Sequence, residues 1–266
     1  MCIRDRLYTD RQQNQFLKRR LQALLITDSL KRRAALDELR DYRALRRNAD
    51  DELWALHAEL ERIRVDQTAN YSDYDYGNGY YYQSMPALTI SGFRDTQARV
   101  SALQLSERLQ GKRVLDIGSN TGFVLLSVAS VLSSGTGVEF NPYLVETAKA
   151  AAKHMQADNT EFIANSFEEV ELPQGSFDVV LSLANHSTYD GNTQQTIDSY
   201  FQRIFGLLDT GGQLIFESHP PQIEPADKYK STLETIEKYF AVEEQPAIDL
   251  PGFLDKNRRY VIARRS

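Results

Sequence analysis

Four residues carry the types and spacing to hold a charged ligand: Asp116, Gly118, Gly122 and Glu139. Residues 114–123 read Val-Leu-Asp-Ile-Gly-Ser-Asn-Thr-Gly-Phe, an apolar run that turns on its glycines into a helical pattern. Glycine there permits a tight turn and close approach of a ligand to the backbone. A dinucleotide fingerprint wants glycine at 118, 120 and 123, but Asn120 and Phe123 occupy two of those positions. Asp116 argues the same way, because a carboxylate beside the turn repels a pyrophosphate and attracts an ammonium group. Glu139 follows at the end of the next apolar run, where a carboxylate accepts both hydroxyls of a ribose. Phe140 can then lie against a purine.

Proton-transfer candidates cluster further on. Asn-His-Ser-Thr at 185–188 follows the fourth apolar run, and Glu-Ser-His-Pro-Pro at 217–221 follows the fifth. His186 has a near-neutral reference pKa and is the leading general base; the plain alternative is that it bonds only loop backbone. His219 and Glu217 come second, as a base pair, as substrate clamps or as a strand-end polar cluster. The histidines, Asp190 and Glu217 show no metal-ligand spacing, so no metal is assigned. Cys2 is the sole cysteine, which rules out a disulfide framework and a cysteine-based metal site.

The elements that must position these groups are short apolar runs alternating with helical patterns. Strands are expected at 113–117, 137–140, 161–164, 177–183 and 213–217, with two late ones at 241–248 and 259–263. Helices are expected at 95–110, 122–133, 142–156 and 193–208. This is the pattern of an α/β doubly wound, seven-stranded, mostly parallel sheet.

Residues 93–265 resemble the class I S-adenosylmethionine-dependent methyltransferase superfamily. The 114–123 motif is close to the family pattern, with Ser119 where many members have cysteine or alanine. The resemblance implies a Rossmann-like methyltransferase fold and S-adenosylmethionine as cofactor. It places Asp116, Gly118, Ser119, Asn120 and Gly122 around the methionine turn and Glu139 and Phe140 at the ribose and adenine. Asn165, Ser166 and Phe167 would edge the adenine, and Leu183 with Ala184 would run along the methionine side. Residues 207–214 look like the family's turn into its fifth strand, with Asp-Thr where Lys-Pro is common. Tyr82, Gln83 and the Gly-Phe-Arg-Asp-Thr of 92–96 resemble the leading segment of members that modify sugars and other polar small acceptors. Arg94 would pair the cofactor carboxylate or cap the following helix. Asn185 does not open the Asn/Asp-Pro-Pro-aromatic pattern of adenine amino methylation, and the missing cysteines exclude cytosine C5 and radical chemistry.

The chain is expected to divide into a helical, coiled-coil-like appendage at 1–70, a tyrosine-rich linker or lid at 71–92, and the methyltransferase domain at 93–266. Residues 11–66 contain no glycine or proline and repeat apolar residues at three-four spacing, as in Leu53, Leu56, Leu60 and Ile63, with a break near 48–51. Such helices pair as a homo-oligomeric coiled coil or pack on the main domain; a recruiting or membrane-surface role of the Arg-rich run 31–47 is the other reading. Residues 1–6 resemble a translated sequencing adapter. Residues 1–66 carry 15 Lys+Arg against 12 Asp+Glu, so the overall charge of -6 makes the remainder acidic, a poor match to a phosphate backbone. With 41% hydrophobic residues and no apolar run of about 20, no membrane span is expected, and without a secretory signal a cytoplasmic location is. The expected activity is methyl transfer to an O or N atom of a small polar or glycan-type acceptor. The alternatives are a transfer RNA base methyltransferase, since some wobble-modifying enzymes share a similar lead-in, and a non-catalytic cofactor-binding scaffold.

Overall fold

The computed structural model describes residues 28–71, 79–187, 194–250 and 256–266. Two helices lead, α1 (Ser29–Asn48) and α2 (Asp51–Asn70). Asp28 caps α1 by accepting from Leu30 N, and Asp50 caps α2 by accepting from Leu53 N, so the break expected near 48–51 falls at a cap.

Apolar spacing on α2 is satisfied inside the chain. Leu56, Leu60 and Ile63 are buried in the same core as Val114, Phe123, Val145 and Ala148, and α2 lies against α6 (Pro142–Met155). Of the two arrangements open to such helices, packing on the main domain is the one adopted. The stripe on which self-association rested is therefore covered by the chain itself. Tyr42 and Leu45 of α1 close over Ala49 and Trp54 in a satellite cluster. Arg64 ties α2 to α1 by an ion pair to Glu38 (2.6 Å) and pairs within α2 with Glu61 (2.5 Å).

The helix expected at 95–110 is two pieces, α3 (Thr96–Ala102) and α4 (Leu105–Arg108), because Gln104 adopts a left-handed conformation at φ 51. The alternating part follows: β1 (Arg113–Ile117), α5 (Phe123–Val128), β2 (Ser134–Glu139), α6, β3 (Thr160–Ala164), β4 (Phe177–Leu183), α7 (Ile197–Leu207) and β5 (Leu208–Glu217). A helix not anticipated from the sequence, α8 (Ala226–Tyr239), leads to β6 (Phe240–Glu244), β7 (Ala247–Ile248) and β8 (Arg258–Arg265). The single late strand expected at 241–248 is thus two.

The sheet runs β3-β2-β1-β4-β5-β8-β6, with β7 added beside β8. β1 to β5 pair in parallel and β8 is antiparallel to both β5 and β6. Central strands are apolar throughout because both faces are covered: Leu115, Val180, Leu181, Leu214 and Ile215 are fully buried. The chain leaves β1 toward β2 on one side and returns to β4 on the other. The strand order reverses there, and a crevice opens at the carboxyl ends of β1 and β4.

Candidate functional site

A cavity of about 320 Å³ sits at that crevice, and its wall includes residues from the carboxyl ends of β1, β2 and β4 and from the segment that follows β5. The turn after β1 needs left-handed backbone at Gly118 (φ 64) and Gly122 (φ 71). A Cβ on Gly118 would lie 2.8 Å from the Asn185 side chain, and one on Gly122 would lie 2.4 Å from the Phe162 ring. Only glycine lets the turn sit this close to its neighbours. Asn120 (φ 54) and Ala184 (φ 59) also take left-handed conformations, strain of the kind that gathers at binding sites.

Asp116 is 2% exposed, and its Oδ2 has no hydrogen-bond partner among the described residues. Burial pushes its carboxyl up to about 7; Arg99 opposes the rise and Glu139 adds to it. A buried, unmatched carboxylate in a cavity wall is a seat for a cation. Glu139 is oriented by backbone: Oε2 accepts from Asn120 N and Oε1 from Asn141 N, each at 2.9 Å. The hydroxyl of Ser119 and the side-chain carbonyl of Asn120 are also buried without partners among the described residues.

Of the residues singled out from the sequence, Tyr82, Gln83, Asp116, Gly118, Asn120, Glu139, Phe140, Asn165, Ser166, Phe167, Leu183 and Ala184 line one cavity. Gln83 joins the leading segment to the turn: its Oε1 accepts from Phe123 N (3.0 Å) and Thr121 Oγ1 (3.3 Å), and its Nε2 donates to the Ser119 carbonyl (3.3 Å). Asn185 is a brace. Its Nδ2 donates to the Ile117 carbonyl and its Oδ1 accepts from Ser182 Oγ (2.8 Å) and Tyr200 OH (3.1 Å).

Three expectations are corrected by position. His186 does not line the cavity. It is buried behind His219, with ring centroids 4.8 Å apart, and packs on Phe216. Its Nε2 lies 3.3 Å from Glu224 Oε2, so the carboxylate–imidazole pair here is Glu224 with His186, not Glu217 with His219. Glu217 is fully buried among guanidinium groups: Arg94 at 2.8 Å, Arg258 at 2.6 Å and Arg99 at 3.4 Å. Burial alone would raise its pKa, but the three arginines hold it well below the usual carboxylate range, which removes it as a base. Arg94 is buried on Glu217, whereas the cap of α3 is Asp95, accepting from Ala98 N at 2.9 Å. Thr188, Asp190 and residues 72–78 of the tyrosine-rich segment lie outside the described residues. Of that segment, Tyr71 packs 6.2 Å from Phe140 and Tyr82 reaches the cavity.

His219 does line the cavity, and burial, reinforced by His186, lowers its pKa to about 4, leaving it neutral at physiological pH. Glu224 fixes the loop that carries it, accepting from His219 N (2.9 Å) and Thr232 Oγ1 (2.8 Å). Arg99, Arg258, Tyr200 and Glu224 were not foreseen. Arg258 had a signal: strand alternation puts it on one face with the apolar Tyr260 and Ile262, an odd place for a charge. Glu224 had none, because it meets His186 only through folding.

A parallel sheet reversing at β1, a glycine turn beneath an unmatched carboxylate and a ribose-suited glutamate define a class I S-adenosylmethionine-dependent methyltransferase fold. The methyltransferase-domain family matches residues 109–262, more than half of the chain, and the protein belongs to that family. Arsenite methyltransferase of Mus musculus is 28% identical over 141 residues, covering 48% of this chain and 36% of that protein. Demethylmenaquinone methyltransferase of Tropheryma whipplei is 26% identical over 135 residues, covering 50% and 53%. The chain thus spans about half the length, or less, of the curated relatives it matches. Among solved structures, a putative S-adenosylmethionine dependent methyltransferase from Listeria monocytogenes superposes with TM-score 0.52 at 14% identity, over 65% of this chain and all of that one. One from Mesorhizobium loti gives TM-score 0.52 at 20% identity, over 63% and 98%. These likenesses are of fold.

Proposed function

We propose that the protein transfers a methyl group from S-adenosylmethionine to an O or N atom of a small polar acceptor. The observation that carries this reading is the pair of buried carboxylates at adjacent strand ends. Asp116 Oδ2 has no hydrogen-bond partner among the described residues and suits an ammonium, and Glu139 is oriented by two backbone N–H groups and suits ribose hydroxyls. Gly118 and Gly122 let the turn close against Asn185 and Phe162, and Phe140, Asn165, Ser166 and Phe167 offer the adenine edge.

When bound, the cofactor supplies a sulfonium methyl that an acceptor lone pair takes up in line, the carbon–sulfur electron pair staying on sulfur as a neutral thioether. The chain's part is alignment in the cavity and removal of the acceptor proton. We assign that proton to His219, neutral and on the cavity wall, with Glu224 fixing its backbone and His186 packed behind it. A cavity of about 320 Å³ shared with the cofactor favours a small acceptor over a nucleic acid.

Calorimetric titration with S-adenosylmethionine, S-adenosylhomocysteine and NAD tests the reading. Binding of the first two and not the third is expected. Tight NAD binding without a response to S-adenosylhomocysteine overturns it.

A further inference from the structure

Three arginines converge on Glu217, and two of them, Arg99 and Arg258, line the cavity. Arg94 and Arg99 are each 3% exposed and Arg258 is 2% exposed, and all three share the single carboxylate of Glu217. Buried charges are matched in native proteins, so an excess of guanidinium groups calls for further anions.

The charges can be counted. Around Glu217 three guanidinium groups meet one carboxylate, two net positive charges. On the reading above, the cofactor sets its ammonium on Asp116 and brings one carboxylate toward this end. This end of the loaded site is therefore short of one anion.

The sheet order shows where. Glu139 ends β2 and Asp116 lies in β1, so the cofactor occupies the β2–β1 side. Glu217 ends β5 and Arg258 opens β8, three and four strands from β2. At about 4.8 Å per strand, Arg258 lies roughly 19 Å across the sheet from the ribose seat. Arg99 is the arginine that Asp116 feels, so it sits at the methionine end, where it can meet the cofactor carboxylate. Arg258 is left. Its Nε donates to Glu217 Oε1 (2.6 Å) and its Nη2 to the Ser218 carbonyl (3.0 Å), so Nη1 is what it can offer to the cavity it lines. His219, Pro220 and Ile223 line the same wall, joining a proton acceptor and an apolar surface to that donor.

We propose that the methyl acceptor carries an anionic group, a carboxylate or a phosphate, and that Arg258 receives it at the β5–β8 end of the cavity. This rests on the methyltransferase reading and narrows it from polar acceptors in general to acidic ones. Arg258 then fixes the acceptor so that its nucleophilic atom lies on the His219 side. The anion also matches the guanidinium charge left over around Glu217.

The test uses the full chain saturated with S-adenosylmethionine, titrated with benzoate, phenyl phosphate and the neutral benzamide. Both anions are expected to bind at least about tenfold more tightly than benzamide, the scale of one hydrogen bond to a charged group. The difference between benzoate and phenyl phosphate separates a carboxylate acceptor from a phosphate one. Arg258→Gln should erase the preference and Arg258→Lys should keep part of it. Equal binding of all three probes by the wild type, or of none, overturns the inference and leaves the methyltransferase reading standing, because the cofactor titration reports on that separately. An Arg258→Gln protein that keeps the preference also overturns it. The wild-type comparison decides even where that variant does not fold. Absence of S-adenosylmethionine binding fails the reading on which the inference rests.

Discussion

Single residues divide the proposed work by the state in which burial leaves them. Asp116 in the cofactor-free protein is pushed up to about 7, well above its ordinary 3.8. For an acid with a raised folded pKa, the folded state holds the proton longer than the unfolded chain does. Its contribution to stability is full below 3.8 and is lost as pH rises toward about 7. A cation bound beside Asp116 favours the ionised form, so cofactor binding should release a proton between these values and weaken as pH falls below about 7. Calorimetry at pH 6 in buffers of different ionisation enthalpy measures that release; a buffer-independent heat removes Asp116 from the ammonium site. Glu139→Ala should weaken binding by about 1.5 to 3 kcal/mol, the usual size of hydrogen bonds to a charged group, with the far-ultraviolet circular dichroism unchanged. An unaltered dissociation constant would place the ribose elsewhere. His219→Ala should lower kcat by roughly 10²- to 10⁴-fold, the range of a lost general base, with S-adenosylhomocysteine affinity kept. His186→Ala should act mainly on thermal stability, since it empties a packed position behind the cavity. If His186→Ala lowers kcat as far as His219→Ala does, proton removal does not run through His219 alone.

At the scale of elements, α2 is the instructive case. Its Leu60 and Ile63 are each 1% exposed and belong to the core that also holds Phe123 of the cofactor turn. Leu60→Ala should therefore cost about 2 to 5 kcal/mol, as leucine truncations in a packed core do, and denaturant unfolding would show it. A change below about 0.5 kcal/mol, typical of surface sites, would mean that α2 is not part of this core. The same packing predicts that removing residues 1–71 yields a destabilised protein. Light scattering and thermal melting of that truncation separate this outcome from loss of a dimer interface, which would leave a stable monomer.

For the whole molecule, the two halves of the site come from opposite sides of the strand reversal, and a ligand spanning it clamps them. S-adenosylhomocysteine at a hundred times its dissociation constant should stabilise the fold by about 2.7 kcal/mol through linkage. For a chain of this size that raises the melting temperature by roughly 5 to 10 °C. A melting temperature indifferent to the ligand would contradict a site built across the sheet.

What the sequence determined alone were the features carried by short stretches. The alternation of apolar runs and helical patterns specified the doubly wound sheet, because each strand must be covered on both faces wherever it lies. The glycines at 118 and 122, Asp116 and Glu139 were legible because a turn and two strand ends fix their geometry within about two dozen residues. The break of the N-terminal helices was legible through the Asp50 cap. Tertiary structure decided whatever depends on which distant segments meet. It turned the α2 stripe inward onto α6, gathered Arg94, Arg99 and Arg258 from distant segments around Glu217, and put His219 on the cavity wall with His186 behind it. Periodicity reports that a face must be buried but not against what. A charge in the sequence carries no mark of its partner, because long-range pairing is set by the path of the chain across the sheet.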